Sequence, residues 1–252
     1  MKNVSILGCG WLGKALAIDL LEKDYSVKGS TTTPTKLDAL CESGISSFLI
    51  HIENLESSSD FFASDVLVIA ITSKNIDAFR DLIQVVEEST IQKVIFISST
   101  SVYPNLNRVI TENDQLVDAP LVDIESVIQS SASFDWNIVR FAGLLGYERH
   151  PSNWFRNKSI PQPNGFVNMI HRDDCIAIIE KLISNEYPNE VFNACSNHHP
   201  TRRSFYTYAK LSKAMTPPSF IEDHEESWKI ISSDKLQHQL QYTFKYDDLL
   251  SI

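Results

Sequence analysis

Near its N-terminus the chain runs Val4-Ser5-Ile6-Leu7 straight into Gly8-Cys9-Gly10-Trp11-Leu12-Gly13, and then into an amphipathic stretch from Lys14. The order is strand, glycine-rich turn, helix. In a G-x-G-x-x-G of this kind the first glycine takes a tight turn, the second admits a pyrophosphate against bare backbone, and the third packs helix on strand. The phosphates would sit at the helix N-terminus, where unpaired N–H groups and the positive end of the dipole point outward. Gly8, Gly10 and Gly13, with Trp11 and Leu12 between them, are therefore candidate dinucleotide-binding residues. A turn of purely structural use is the alternative.

The second strand of such a unit decides which dinucleotide fits. An acidic residue at its end, about 20 residues past the glycines, would grip a ribose 2′-OH and select NAD. Here that place reads Lys28-Gly29-Ser30-Thr31-Thr32-Thr33, with no acid. The hydroxyls of Ser30 and Thr31, with Lys36 close behind, could instead hold a 2′-phosphate, so NADP is expected ahead of NAD. Otherwise Thr33 caps the next helix and Lys36 is simply solvated. Ala70-Ile71-Thr72, ending a later strand, should place Ala70 and Thr72 under the cofactor.

The elements that must position these residues follow from the apolar pattern. The first half alternates short apolar runs with segments of helical period, which argues for a parallel sheet covered by helices. Strands are expected over 3–7, 25–29, 48–52, 65–71 and 93–98. Helices are expected over 11–23, after Thr33-Pro34 to about Gly44, and where Ile76, Phe79, Leu82, Ile83 and Val86 keep helical spacing. Further on, a helix over 121–131 and a strand over 136–141 are followed by a proline-rich extended loop from Gly146 to Val167. Helix, strand and helix then return over 175–185, 191–194 and 204–215.

The chain has 252 residues, 43% of them hydrophobic and 21% charged. Such a composition suits a soluble globular protein. A net charge of −10 without a dense basic run argues against nucleic acid as a partner. The four cysteines, Cys9, Cys41, Cys175 and Cys195, lie far apart with no C-x-x-C, and read as free thiols in a cytoplasmic protein. Ile6-Leu7-Gly8-Cys9 resembles the end of a lipoprotein signal, but the apolar run before it falls short of the roughly 7–15 residues required. No stretch approaches the ~18 apolar residues of a membrane span. His150, His171, His198 and His199 match no zinc or facial-triad spacing, so no metal is expected.

Several motifs in order resemble the extended short-chain dehydrogenase/reductases, the NAD-dependent epimerase/dehydratase group. They are the glycine turn, Ser98-Ser99-Thr100-Ser101-Val102-Tyr103, Arg140-Phe141-Ala142-Gly143-Leu144, Val167-Asn168-Met169-Ile170-His171-Arg172-Asp173-Asp174, and Phe192-Asn193-Ala194. The resemblance implies that Ser99 hydrogen-bonds the reacting carbonyl or hydroxyl; satisfying strand-end backbone groups is the plainer alternative. It implies that Asn168 and His171 line the substrate side, with Arg149 and Arg202 or Arg203 available for a phosphate or carboxylate. Asp174 would cap the following helix or touch what is bound.

One departure is clear. Members that transfer hydride carry Tyr-x-x-x-Lys on the helix after the serine-rich strand end, where one helical turn places both on one face and the ammonium lowers the phenol's pKa. The corresponding segment here, Ala119-Pro120-Leu121-Val122-Asp123-Ile124-Glu125-Ser126, has neither residue. Tyr206-Thr207-Tyr208-Ala209-Lys210 has the spacing but lies about a hundred residues too late and reads as coincidence. Asp123 or Glu125 could stand in, or both could be exposed acids on a surface helix. Tyr103 is another candidate acid/base, with packing as its alternative.

The expectation is thus an α/β fold, a doubly wound parallel sheet. An NAD(P)-binding Rossmann domain would occupy 1–145, and 146–252 a smaller substrate-side lobe interleaved with the sheet. The activity expected is that of an atypical NAD(P)-dependent oxidoreductase or epimerase/dehydratase on a small polar substrate such as a sugar nucleotide. A non-enzymatic NAD(P)-sensing protein is the rival, and a homodimer follows from the resemblance alone.

Overall fold

The computed structural model describes residues 2–55, 59–155, 158–222 and 227–251. In chain order its elements are β1 (Asn3–Leu7), α1 (Trp11–Glu22), β2 (Ser26–Thr31), α2 (Leu37–Cys41), β3 (Ser46–Leu49), α3 (Ser59–Phe62), β4 (Val66–Ile69), α4 (Ile76–Glu87) and β5 (Lys93–Ser99). Then come β6 (Val109–Ile110), α5 (Pro120–Gln129), β7 (Asp135–Phe141), β8 (Gly143–Leu145), β9 (Met169–His171) and α6 (Arg172–Ser184). The last are β10 (Glu190–Ala194), α7 (Arg202–Leu211), β11 (Ile230–Ile231) and α8 (Asp234–Leu240).

The main sheet has seven strands in the order β10-β7-β5-β4-β1-β2-β3. The registered pairs β1 with β2 and β4, β2 with β3, and β4 with β5 are all parallel. Strand order reverses between β1 and β4, so the turn leaving β1 lies at the switch point where doubly wound sheets bind ligands. The sequence accounts for this layout. All four residues of β4, Val-Leu-Val-Ile, are buried, as a parallel strand covered on both faces requires. In α4 the buried residues Phe79, Leu82, Ile83 and Val86 form one stripe, and the Asn75 side chain caps the helix by accepting from the Ala78 N–H at 3.2 Å.

The chain divides into two compact units. The first comprises Met1–Ser98, Asp118–Val139 and Ile176–Val191; the second comprises Ser99–Val117, Arg140–Cys175 and Phe192–Ile252. The first is packed around Leu7, Leu67, Ile69, Phe79, Phe96, Ile124 and Ile138. In the second, Leu145, Ile160, Val167, Phe205, Tyr206 and Leu249 are packed together. Two short parallel pairs lie there, β8 with β9 and β6 with β11. Among the described residues no helix is long and apolar enough to cross a membrane.

Some expected elements differ. The strand expected over 48–52 is β3, Ser46–Leu49, and the strand expected to stop at Gly29 runs on to Thr31. Thr33-Pro34 opens a 3₁₀ turn, Pro34–Lys36, before the five-residue α2. Thr33 makes no side-chain cap; its N–H donates to Thr31 Oγ1 at 3.1 Å, a local hydroxyl turn that competes with helix initiation. The helix expected from Cys175 begins at Arg172, and Asp174 serves another purpose. Its buried carboxylate accepts from the Tyr242 hydroxyl at 2.6 Å and from the N–H groups of Lys245 and Tyr246 at 2.7 and 3.1 Å, tying down the C-terminal segment. The loop expected over 146–167 holds a 3₁₀ turn at Pro151–Asn153, while residues 156–157 lie outside the described residues.

Candidate functional site

In the first unit β1 leads into Gly8, whose φ of +102° is closed to ordinary side chains. A Cβ there would sit 2.7 Å from Ile71 Cγ2 and 2.8 Å from the Ala70 carbonyl oxygen. A Cβ on Gly13, in the first turn of α1, would run into the Gly8 carbonyl. Gly10, between them, faces open space, with nothing within 4 Å of where its Cβ would be. Two glycines thus serve packing and one keeps a surface bare.

That bare glycine is the N-cap of the 12-residue α1. No side chain caps the helix, and its first turn holds no acidic residue. A helix end left in this state presents N–H donors and a positive partial charge to an anion. The residues therefore fit the pyrophosphate of a dinucleotide. Leu12 and Gly13 are buried, Trp11 and Ala70 half-buried and Thr72 exposed, so these predicted residues fall into the wall, rim and surface of one turn region. Cys9 contributes bulk only, since burial pushes its thiol up to about 12.

Ser30 and Thr31 are where the sequence places them, and the oxygens of both hydroxyls accept local N–H groups. The Ser30 Oγ accepts the Gly8 N–H at 2.9 Å, and the Ser30 carbonyl accepts the Cys9 N–H at 2.7 Å. The buried serine braces the glycine turn. Thr31 accepts from Thr33, as above. Lys36 stays exposed.

The helix that would carry Tyr and Lys in the resembled family is α5. Asp123 is exposed on it, whereas Glu125 is 1% exposed and accepts from the Ser98 hydroxyl at 2.5 Å. The expectation of two surface acids is corrected for Glu125. It follows Leu121 by four residues and precedes Ile128 by three, so helical geometry turns it inward with them.

The second unit holds a pocket of about 300 Å³ lined by Ser99, Thr100, Ser101, Gly143, Phe166, Val167, Asn168, Met169, Arg202 and Lys229. Ser99 Oγ accepts the Ser101 N–H at 3.1 Å, which leaves the serine's own hydrogen to donate. Asn168 is occupied at both ends of its amide. Nδ2 donates to the Lys229 carbonyl at 2.9 Å, and Oδ1 accepts from the Ile231 N–H at 2.8 Å. Asn168 thereby fixes the segment that carries Lys229. The Lys229 ammonium donates to the Tyr103 carbonyl at 2.5 Å, and burial holds it below the usual lysine range.

Of the residues predicted on the substrate side, Ser99, Asn168 and Arg202 come together in this pocket, and Tyr103, Arg149, His171 and Arg203 are not part of its lining. Tyr103 is 2% exposed; its hydroxyl donates to Asn193 Oδ1 at 2.9 Å and accepts from Arg140 Nη1 at 2.5 Å. Burial pushes that phenol up, opposite to what an acid/base near neutrality needs. Its packing alternative is what this geometry serves. His171 is buried against the ring of Tyr246, with centroids 3.7 Å apart, and its Nδ1 accepts the Asp173 N–H at 3.2 Å. Arg149 is exposed, and Arg203 is held by both oxygens of Glu222 at 2.7 and 2.8 Å. Lys229 was not singled out by the sequence. Its signal would have been the short apolar run Trp228-Lys229-Ile230-Ile231, interrupted by one cation.

Among the described residues no group of three or more His, Cys, Asp or Glu side chains is placed to hold a metal ion.

A model of the NAD(P)H-binding family matches residues 8–186. Protein YeeZ of Escherichia coli (strain K12) is 30% identical over 269 residues, spanning 99% of this chain and 98% of its own length. A short-chain dehydrogenase/reductase superfamily protein from Agrobacterium tumefaciens with bound NAD superposes with a TM-score of 0.79 at 16% identity, covering 99% of this chain and 95% of that one. UDP-glucuronic acid 4-epimerase from Bacillus cereus in complex with NAD does so with a TM-score of 0.79 at 15% identity, covering 98% and 95%. At these identities the structural matches speak for the fold, a mostly parallel sheet of Rossmann type. With the family match opening on the first glycine of the cradle and running over most of the sequence, this chain belongs to the NAD(P)H-binding family.

Proposed function

We propose that the chain is an NAD(P)-dependent oxidoreductase of epimerase/dehydratase type, acting on a small polar substrate such as a sugar nucleotide. The observation that carries this reading is Gly10, bare between two closely packed glycines at an uncapped helix N-terminus. The nicotinamide nucleotide, when bound, supplies the hydride donor or acceptor. The chain's own contribution on the substrate side is the Ser99 hydroxyl, oriented by the Ser101 N–H so that it donates to a substrate oxygen and stabilises charge gathering there. The UDP-glucuronic acid 4-epimerase among the structural neighbours supports the sugar-nucleotide reading by its fold alone.

NADPH is proposed ahead of NADH. No acid ends β2, and exposed Lys36 follows it closely. A second reading, a protein that senses NAD(P) without turnover, is favoured by α5, where Glu125 is sealed against Ser98 and no Tyr-x-x-x-Lys stands. A homodimer is the assembly that the resemblance implies, and light scattering measures it.

The test is a fluorescence titration with NADH and NADPH, run alongside Gly10→Asp, followed by a carbonyl and sugar-nucleotide panel. Binding that the aspartate abolishes, with turnover of one substrate that Ser99→Ala lowers about a hundredfold, is expected. Binding without turnover on any member of the panel turns the reading to the sensor. No binding of either nucleotide overturns both.

A further inference from the structure

We propose that the pocket of the second unit is an oxyanion site, in which Lys229 and Arg202 grip a phosphate or carboxylate carried by the substrate. This rests on the reading above, in which that pocket receives the substrate, and it names the class of substrate.

The charges are the first ground. In a chain of net charge −10, the charged side chains that line this pocket among the described residues are two cations, Arg202 and Lys229, with no carboxylate among them. Three other cations, by contrast, meet carboxylates. Arg203, the next residue of α7, is clamped by Glu222; Arg108 meets Asp114 at 2.5 Å; Lys23 sits between Asp19 and Glu180. Arg202 and Lys229 have no carboxylate partner among the described residues. Two half-buried cations left unneutralised in one pocket are costly unless an anion completes them.

The way both are held is the second ground. Arg202 Nε donates to the Pro161 carbonyl at 2.9 Å, and its guanidinium carbon lies 5.8 and 5.6 Å from the ring centroids of Phe155 and Tyr206. Lys229 leans on the Tyr103 carbonyl. Carbonyls and ring faces orient a cation without cancelling its charge. The Lys229 backbone is fixed in turn by Asn168 and by the pairing of Ile230 with Val109. Hydroxyls of Ser99, Thr100 and Ser101 add donors that suit oxygen.

Size sets the class further. About 300 Å³ lies at the lower end of small-molecule sites. Phe166 forms an apolar wall, fixed edge-to-face by Trp228 at 4.9 Å between centroids. A sugar ring or short carbon chain bearing one oxyanion matches this lining.

The experiment is calorimetric titration of the intact protein with glucose, glucose 1-phosphate, glucuronate and UDP-glucuronic acid, with NADPH binding measured in the same preparations. At least one anionic probe is expected to bind about tenfold tighter than glucose. The arm that responds separates a small phosphate or carboxylate from a sugar nucleotide. Lys229→Met and Arg202→Met should each weaken that probe by about thirtyfold or more, while Lys229→Arg keeps most of the affinity. As a readout that needs no variant, inorganic phosphate should protect Lys229 from reductive labelling by pyridoxal 5′-phosphate, read by peptide mapping. Equal binding of glucose and every anion, unchanged affinity in both methionine variants, or labelling that phosphate does not slow would each overturn the proposal. If NADPH binds normally while every anion fails, this inference alone falls; if NADPH does not bind, the functional reading falls and the anion results are judged separately.

Discussion

The nucleotide cradle of the first unit is six consecutive residues, whereas the pocket of the second draws on stretches near 99–101, 143, 166–169, 202 and 229. The glycine cradle presents backbone, and its character lies in what glycine omits. The pocket presents side chains, and its character lies in how distant segments are tied together. Backbone recognition needs only a local conformation, so glycine spacing suffices to specify it. Side-chain recognition needs each partner held by something remote, as Asn168 holds Lys229 across 61 residues.

The sharpest way to break this contrast lies within the cradle. Gly13→Ala drives a methyl into the Gly8 carbonyl, and backbone cannot give as a flexible side chain would. The expected cost is about 3 kcal/mol in urea unfolding, the upper end of overpacking. Gly10→Ala meets nothing within 4 Å and should stay within about 0.5 kcal/mol of the parent. If the two cost the same, the division into packing and open glycines is wrong.

Asn168→Ala carries the next largest effect. It leaves the Ile231 N–H and the Lys229 carbonyl without their partner, an expected cost of about 2 kcal/mol, with faster amide exchange at Ile231. Asn168→Asp keeps the acceptor and loses the donor, so it should fall between. Unchanged exchange at Ile231 would show that Lys229 is positioned by the pairing of β6 and β11 alone.

These differences explain how far the sequence could be read. The glycine turn, the order of strands and α4 were legible because each rests on contacts within a few residues or on an unbroken period. The bracing role of Ser30 was not legible, because its bond to Gly8 joins residues 22 apart that come together only across β1 and β2. The burial of Glu125 was legible but not read: Leu121, Ile124 and Ile128 bracket it on the buried stripe of α5. Lys229 lay beyond local reasoning, since the carbonyl that orients it is 126 residues away. Tyr206 and Lys210, which carry the familiar spacing on α7, are both buried, and burial pushes the Tyr206 phenol up rather than down. Position alone had already set that pair aside.

Ser30→Ala then distinguishes bracing from recognition. Losing the acceptor for a part-buried Gly8 N–H should cost about 1 kcal/mol. Because the turn it braces is common to both nucleotides, NADH and NADPH should weaken by the same factor. A loss confined to NADPH would return Ser30 to the 2′-phosphate.

Lys36→Ala should have the smallest effect and the most selective one. Its exposed amine would meet a 2′-phosphate in high dielectric, where such a pair contributes about 0.2–1 kcal/mol. NADPH affinity should therefore drop by up to about fivefold, NADH affinity should stay put, and the NADPH loss should shrink as salt rises. Folding stability should not change, since Lys36 touches no core. An equal loss for both nucleotides, or none for either, would mean that Lys36 does not read the 2′ position. The preference would then have to be sought in Ser30 and Thr31 at the end of β2.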